Sequence, residues 1–132
     1  RADVLVVAVG TRGRQALWVN DGRGMLFVSH RGDLFPSGFL PQRCGNVRSD
    51  DPIEVYRHHP LFRLLRDSDA LGGKCGACEY RQVCGGSRAR GLAMAGDVLA
   101  SDPLCDYVPA GYAGEVDTWQ GMPELAGVQP LR

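Results

Sequence analysis

The stretch Gly73-Lys74-Cys75-Gly76-Ala77-Cys78-Glu79-Tyr80-Arg81-Gln82-Val83-Cys84-Gly85-Gly86 decides how this chain is read. Together with Cys105 it forms a C-x2-C-x5-C-x20-C array that takes four of the chain's five cysteines. Four thiolates fill the shell of a Zn²⁺ ion or occupy one corner each of a [4Fe–4S] cluster. A two-residue spacing lets Cys75 and Cys78 turn their sulfurs to the same side. Glycines directly after Cys75 and Cys84 permit close backbone approach, which leaves amide N–H groups able to point at sulfur. A redox C-x2-C pair would use only two of the four cysteines and lacks a βαβ setting. Ordinary buried thiols would scatter along the chain rather than cluster. The spacing therefore predicts a metal centre at Cys75, Cys78, Cys84 and Cys105, with iron–sulfur and zinc both open.

Working outward, 132 residues suffice for one domain with a core of its own. The 18 glycines and 8 prolines predict many turns and little regular structure. Fifteen basic residues balance fifteen acidic ones, so no global field draws nucleic acid or an anionic membrane. No apolar run approaches the ~20 residues that span a bilayer, and no basic start precedes an apolar stretch of signal length. An odd cysteine count without such a signal favours a reducing, cytoplasmic setting in which thiols stay available for metal.

Residues 3–9 read as a buried strand and 15–19 as another short one, closed by the turn signal Asn20-Asp21-Gly22. Met25–Ser29 and Leu34-Phe35, joined by Arg31-Gly32-Asp33, predict a β-hairpin. Residues 36–51 read as loop. Asp50 and Asp51 ahead of Pro52 predict a helix start, and Pro60 divides the apolar pattern that follows into two short helices meeting near His58-His59. Gly72-Gly73 should end the second of these and open the cysteine loop. A further helix is expected over Ser87–Ala95, stopped by Gly96, then a turn at Asp102-Pro103-Leu104-Cys105. The expected class is α+β: a small domain with a β-hairpin, short helices and a glycine-rich four-cysteine loop. It divides into an N-terminal strand and linker (1–24), a cluster-binding domain (25–107) and a loosely structured tail (108–132).

Residues Lys74–Asp106, with Cys-x2-Cys-x5-Cys-Gly-Gly and a later Asp-Pro-x-Cys, resemble the C-terminal auxiliary-cluster domain of radical SAM enzymes, the SPASM/Twitch type. Phe27–Pro36 resembles the hairpin that precedes the cluster loop there, and Gly45-Asn46-Val47-Arg48 the next landmark. The wording Gly-Lys-Cys-Gly-Ala-Cys-Glu-Tyr and Cys-Gly-Gly-Ser-Arg-Ala-Arg is most similar to the branch containing haem and haem d1 biosynthesis enzymes. The resemblance covers about residues 25–107. It implies one [4Fe–4S] cluster on the four cysteines, relaying electrons to or from a substrate and ordering the domain.

The departures from the full pattern are specific. Gly32 is followed at the relevant distance by Ser37 rather than cysteine, residues 16–22 hold no cysteine, and Arg88 stands four positions beyond Cys84. Those are the ligands of a first auxiliary cluster, so the resemblance implies that only the second is served. The C-x3-C-x2-C motif that binds the SAM-cleaving cluster is also missing. SAM and its cluster are accordingly expected on a radical SAM core domain, in the same parent chain or a separate subunit. The alternative is a zinc-stabilised four-cysteine binding module with no redox role.

Arg81, Arg88 and Arg90 surround the loop and are candidates for holding carboxylates, such as tetrapyrrole propionates; the plainer expectation pairs them with Glu79, Asp97 or solvent. Cys44 reads as a free structural thiol. His30, His58 and His59 read as turn and helix-end residues, and Trp18 and Trp119 as packing groups.

Overall fold

A computed structural model describes residues 5–7 and 20–115 of the chain. It is an α+β fold. Four short strands, β1 (Leu5–Val7), β2 (Leu26–Val28), β3 (Asp33–Phe35) and β4 (Gly45–Asn46), form one antiparallel sheet in sequence order. The hairpin lies where β-formers flank the glycine turn, with Phe27 opposite Phe35 and Val28 opposite Leu34. Ser29 fastens its mouth, accepting the Gly32 amide on its carbonyl at 2.8 Å and the Asp33 amide on its hydroxyl at 3.1 Å.

Strand β4 falls inside the stretch expected as loop. Two residues carry no readable alternation, and what makes them a strand is side-chain bonding. The Asn46 amide side chain donates to the Arg31 carbonyl and the Asp33 carboxylate, and the Asp50 carboxylate accepts the Asn46 backbone N–H at 2.8 Å.

Helices α1 (Pro52–His58) and α2 (Pro60–Arg66) divide at the expected place. Each begins with proline, which loses no helical hydrogen bond in a first turn. Asp51 caps α1 by accepting from the amides of Ile53 and Glu54 at 2.7 and 3.4 Å. His59 ends α1 and caps α2, its Nδ1 accepting the Leu61 amide at 3.2 Å. Arg66 folds back to donate to the carbonyls of Tyr56 and Arg57, satisfying the open end of α1. Asp51→Ala is expected to cost about 1 kcal/mol, read as a lower denaturant midpoint with unchanged slope.

The core joins hairpin to helix: Leu26 and Leu34 from the sheet meet Phe62 from α2, with Val28, Cys44, Val55 and Tyr56 packed around them. Helix α2 ends earlier than the glycine pair suggested. Asp67 stops it and caps a single 3-10 turn, Ser68–Ala70, by accepting the Asp69 amide at 3.0 Å. The cysteine segment then opens as a helical turn, α3 (Gly73–Ala77), rather than as loop. Helix α4 (Arg88–Ala95) follows it, capped by Ser87 and ended by Gly96. Residues 106–115 hold no helix or strand. The expected strand at 15–19, Trp18, Trp119 and the tail beyond 115 lie outside the described residues.

Candidate metal centre

Each cysteine is set by a different piece of local structure. Cys75 is buried on α3, Cys78 caps the end of that helix, and Cys84 closes a turn in which its amide donates to the Tyr80 carbonyl at 2.8 Å. Cys105 arrives from the other side, on a turn closed by its amide donating to the Asp102 carbonyl at 3.2 Å. All four side chains line one small cavity of about 60 Å³, together with Lys74 and Tyr107. No disulfide joins any of them. Among the described residues no three His, Cys, Asp or Glu side chains meet closely enough to hold a single metal ion. The thiols ring the cavity without converging on a point.

Hydrogen-bond donors face three of the four sulfurs. The Asp102 amide donates to Cys75 Sγ at 3.3 Å, the Tyr80 amide to Cys78 Sγ at 3.4 Å and the Gly86 amide to Cys84 Sγ at 3.4 Å. Arg88 Nη2 donates to Cys75 Sγ at 3.7 Å. Such donors stabilise thiolate over thiol and are the second shell that a sulfur-bound centre uses. The chemistry of the donor set therefore fits an anionic metal–thiolate group.

The loop is held from outside by residues that sequence reasoning did not single out. Asn20 Nδ2 donates to the carbonyls of Cys84 and Gly86. Asp21, buried, accepts from the Ser37 hydroxyl and from the Ala89 amide in the first turn of α4. Arg23 donates to the Ser68 hydroxyl and the Gln82 carbonyl. The signal for this clamp was the Asn-Asp-Gly turn, which shows a turn and nothing of what it grips.

Asp102 is the hub on the far side. Its carboxylate accepts from the amides of Ser87 (2.9 Å) and Leu104 (3.1 Å) and from Arg90 Nε (2.8 Å). Burial pushes its pKa upward, but Arg90 and those amides outweigh burial and hold the carboxyl below its ordinary range. Lys74, also buried, donates from Nζ to the Cys105 carbonyl, tying the two cysteine segments together. The Tyr107 hydroxyl donates to Glu79, which pushes the phenol up to about 12.

The plainer expectation for the three arginines needs correction in its partners. Arg81 pairs with Asp69 at 3.1 Å and Arg90 with Asp102, whereas Glu79 bonds Tyr107 and Asp97 accepts the Leu99 amide. Arg88 is buried and reaches neither solvent nor a carboxylate among the described residues. Cys44 packs against the core, with burial raising its thiol to about 11, and lines neither cavity. His30 sits exposed in the hairpin turn and His58 exposed at the end of α1, 3.6 Å from Glu54. Cys84 also lines a second, larger groove of about 560 Å³ with Met25, Phe39, Ala89 and Arg90.

An AdoMet-dependent heme synthase of Methanosarcina barkeri is 44% identical over 105 residues, covering 78% of this chain and 30% of that protein. The chain is a homologue of AdoMet-dependent heme synthases. The one from Nitratidesulfovibrio vulgaris is 48% identical over 88 residues, 67% of this chain and 24% of its own length. A pre-heme d1 synthase of Dinoroseobacter shibae is 34% identical over 97 residues, covering 70% of the chain and 24% of that protein. The chain thus spans under a third of the length of these curated relatives. No protein-family profile matches it. Among the described residues no helix is long and apolar enough to cross a membrane.

Proposed function

We propose that this chain is the auxiliary [4Fe–4S]-binding domain of a radical SAM oxidoreductase, with Cys75, Cys78, Cys84 and Cys105 as the ligands. The observation that carries the reading is four free thiols lining one cavity, three of them met by N–H donors. Homology to AdoMet-dependent heme synthases supports the radical SAM setting. In that setting SAM and its own cluster belong to a core domain outside this sequence, and the substrate is a tetrapyrrole, as the relatives' names suggest.

The group, when bound, supplies one-electron transfer. The chain's residues hold it and shape access to it. Four protein sulfurs leave no iron open to substrate, so the domain passes electrons rather than binding the reacting molecule. Asp102 and Lys74 fix the Cys105 turn against α3, while Asn20 holds the Cys84 carbonyl and Asp21 the first turn of α4. Cys84 is the exposed member and borders the larger groove, which makes it the natural side for exchange with a partner surface.

The competing reading is a zinc-stabilised module. Zinc at about 2.3 Å from each sulfur would crowd four sulfurs to within about 4 Å of each other, whereas a cluster gives each sulfur its own iron. The deciding measurement is metal and sulfide analysis after anaerobic purification, because aerobic handling lets zinc occupy vacant thiolates. Brown protein with matched iron and sulfide is expected. Colourless protein with one zinc per chain would replace this reading with its rival.

A further inference from the structure

Arg88 is 2% exposed and Lys74 3%. Among the described residues neither has a carboxylate oxygen within 4.0 Å. The buried carboxylate beside the cavity, Asp102, is already matched by Arg90. Two cations are therefore enclosed without a carboxylate partner among the described residues, an unfavourable arrangement unless a counter-charge lies nearby.

The placement of Arg88 says where the counter-charge sits. One terminal nitrogen, Nη1, donates to the carbonyls of Val98 and Ala100 at 3.1 and 2.8 Å. The other, Nη2, points at Cys75 Sγ, and Nε has no partner. The guanidinium is thus anchored on one edge by backbone carbonyls and turned toward Cys75 Sγ, one of the four thiols, on the other. Its Nη2 would lie 2.8 Å from a Cβ placed on Gly86, so the loop has no side chain here and the cation fills the space.

We propose that Arg88 is a positioning residue that sets the reduction potential of the centre held by the four cysteines, with Lys74 sharing the neutralisation of its charge. The inference rests on the cluster reading above. Four thiolates leave a [4Fe–4S] group anionic, and reduction adds one more negative charge. A fixed guanidinium stabilises the reduced form more than the oxidised form, so Arg88 raises the potential.

The test is an EPR-monitored redox titration of the complete enzyme under anaerobic conditions, following the iron–sulfur signal that does not respond to added SAM. Arg88→Gln, which keeps a donor but not the charge, should lower the midpoint. A roughly tenfold fall in the reduced-to-oxidised ratio at fixed potential corresponds to about 59 mV. Arg88→Lys should restore most of the shift. An unchanged midpoint in Arg88→Gln with the signal intact would reduce the residue to a brace for the 98–100 backbone. Loss of the signal from both variants would also overturn the proposal, because lysine retains the charge it depends on. Wild-type enzyme that shows only the SAM-responsive signal would instead sink the cluster reading itself, and this inference with it.

Discussion

Cys105→Ala in the complete enzyme is expected to remove the iron and sulfide of one [4Fe–4S] group and to lower turnover by more than about 100-fold, beyond the 10–100-fold that partners of metal ligands cost. SAM cleavage should continue. The variant is a clean test because of how residue 105 is held. Lys74 grips its backbone carbonyl and Asp102 closes the turn through its backbone amide, and neither contact uses the thiol. Alanine therefore deletes one sulfur and leaves the loop where it was. Cys44→Ala is the matched control. Its thiol sits against Leu26, Leu34 and Phe62, donates to the Gln42 carbonyl at 3.4 Å and stays protonated at neutral pH. It should retain full iron and turnover with a modest loss of stability. Full iron and full turnover in Cys105→Ala would exclude the four-cysteine centre.

What the sequence made legible was local. The hairpin, the split at Pro60, the helix that stops at Gly96 and the Asp102 turn each depend on residues within a few positions of one another. Cysteine spacing belongs to the same class, since x2 and x5 intervals can be read directly. The missed features are long-range. Asn20 reaches the carbonyl of Cys84 across 64 positions and Asp21 the amide of Ala89 across 68. No periodicity records such pairings. The arginines show the same limit: Arg88 reads as a surface residue because burial of a charge depends on what surrounds it in space. Only with the fold in hand do Lys74 and Arg88 emerge as enclosed cations, the first lining the four-cysteine cavity and the second reaching Cys75 Sγ.

Gly86→Ala should cost about 2–5 kcal/mol, the sum of ~1–2 for a left-handed backbone and ~1–3 for overpacking. Gly86 has φ of 62°, and a Cβ there would stand 2.9 Å from Asp102 Cβ and 3.0 Å from Cys75 Sγ. Neither neighbour can retreat. Asp102 is fixed by four donors, counting Arg90 twice, and Cys75 is buried in α3 with its sulfur turned into the cavity. The added methyl would push Cys75 Sγ away from its amide and guanidinium donors, so iron retention should fall along with stability. Gly96→Ala separates the two contributions. Its φ of 73° is equally left-handed, yet a Cβ there meets nothing within 4 Å. It should lose only the conformational share, about 1–2 kcal/mol, and keep its metal. Anaerobic denaturant unfolding with parallel iron analysis measures both. Equal losses and equal iron in the two variants would mean that the space between residues 75, 86 and 102 is not the constraint that shapes this loop.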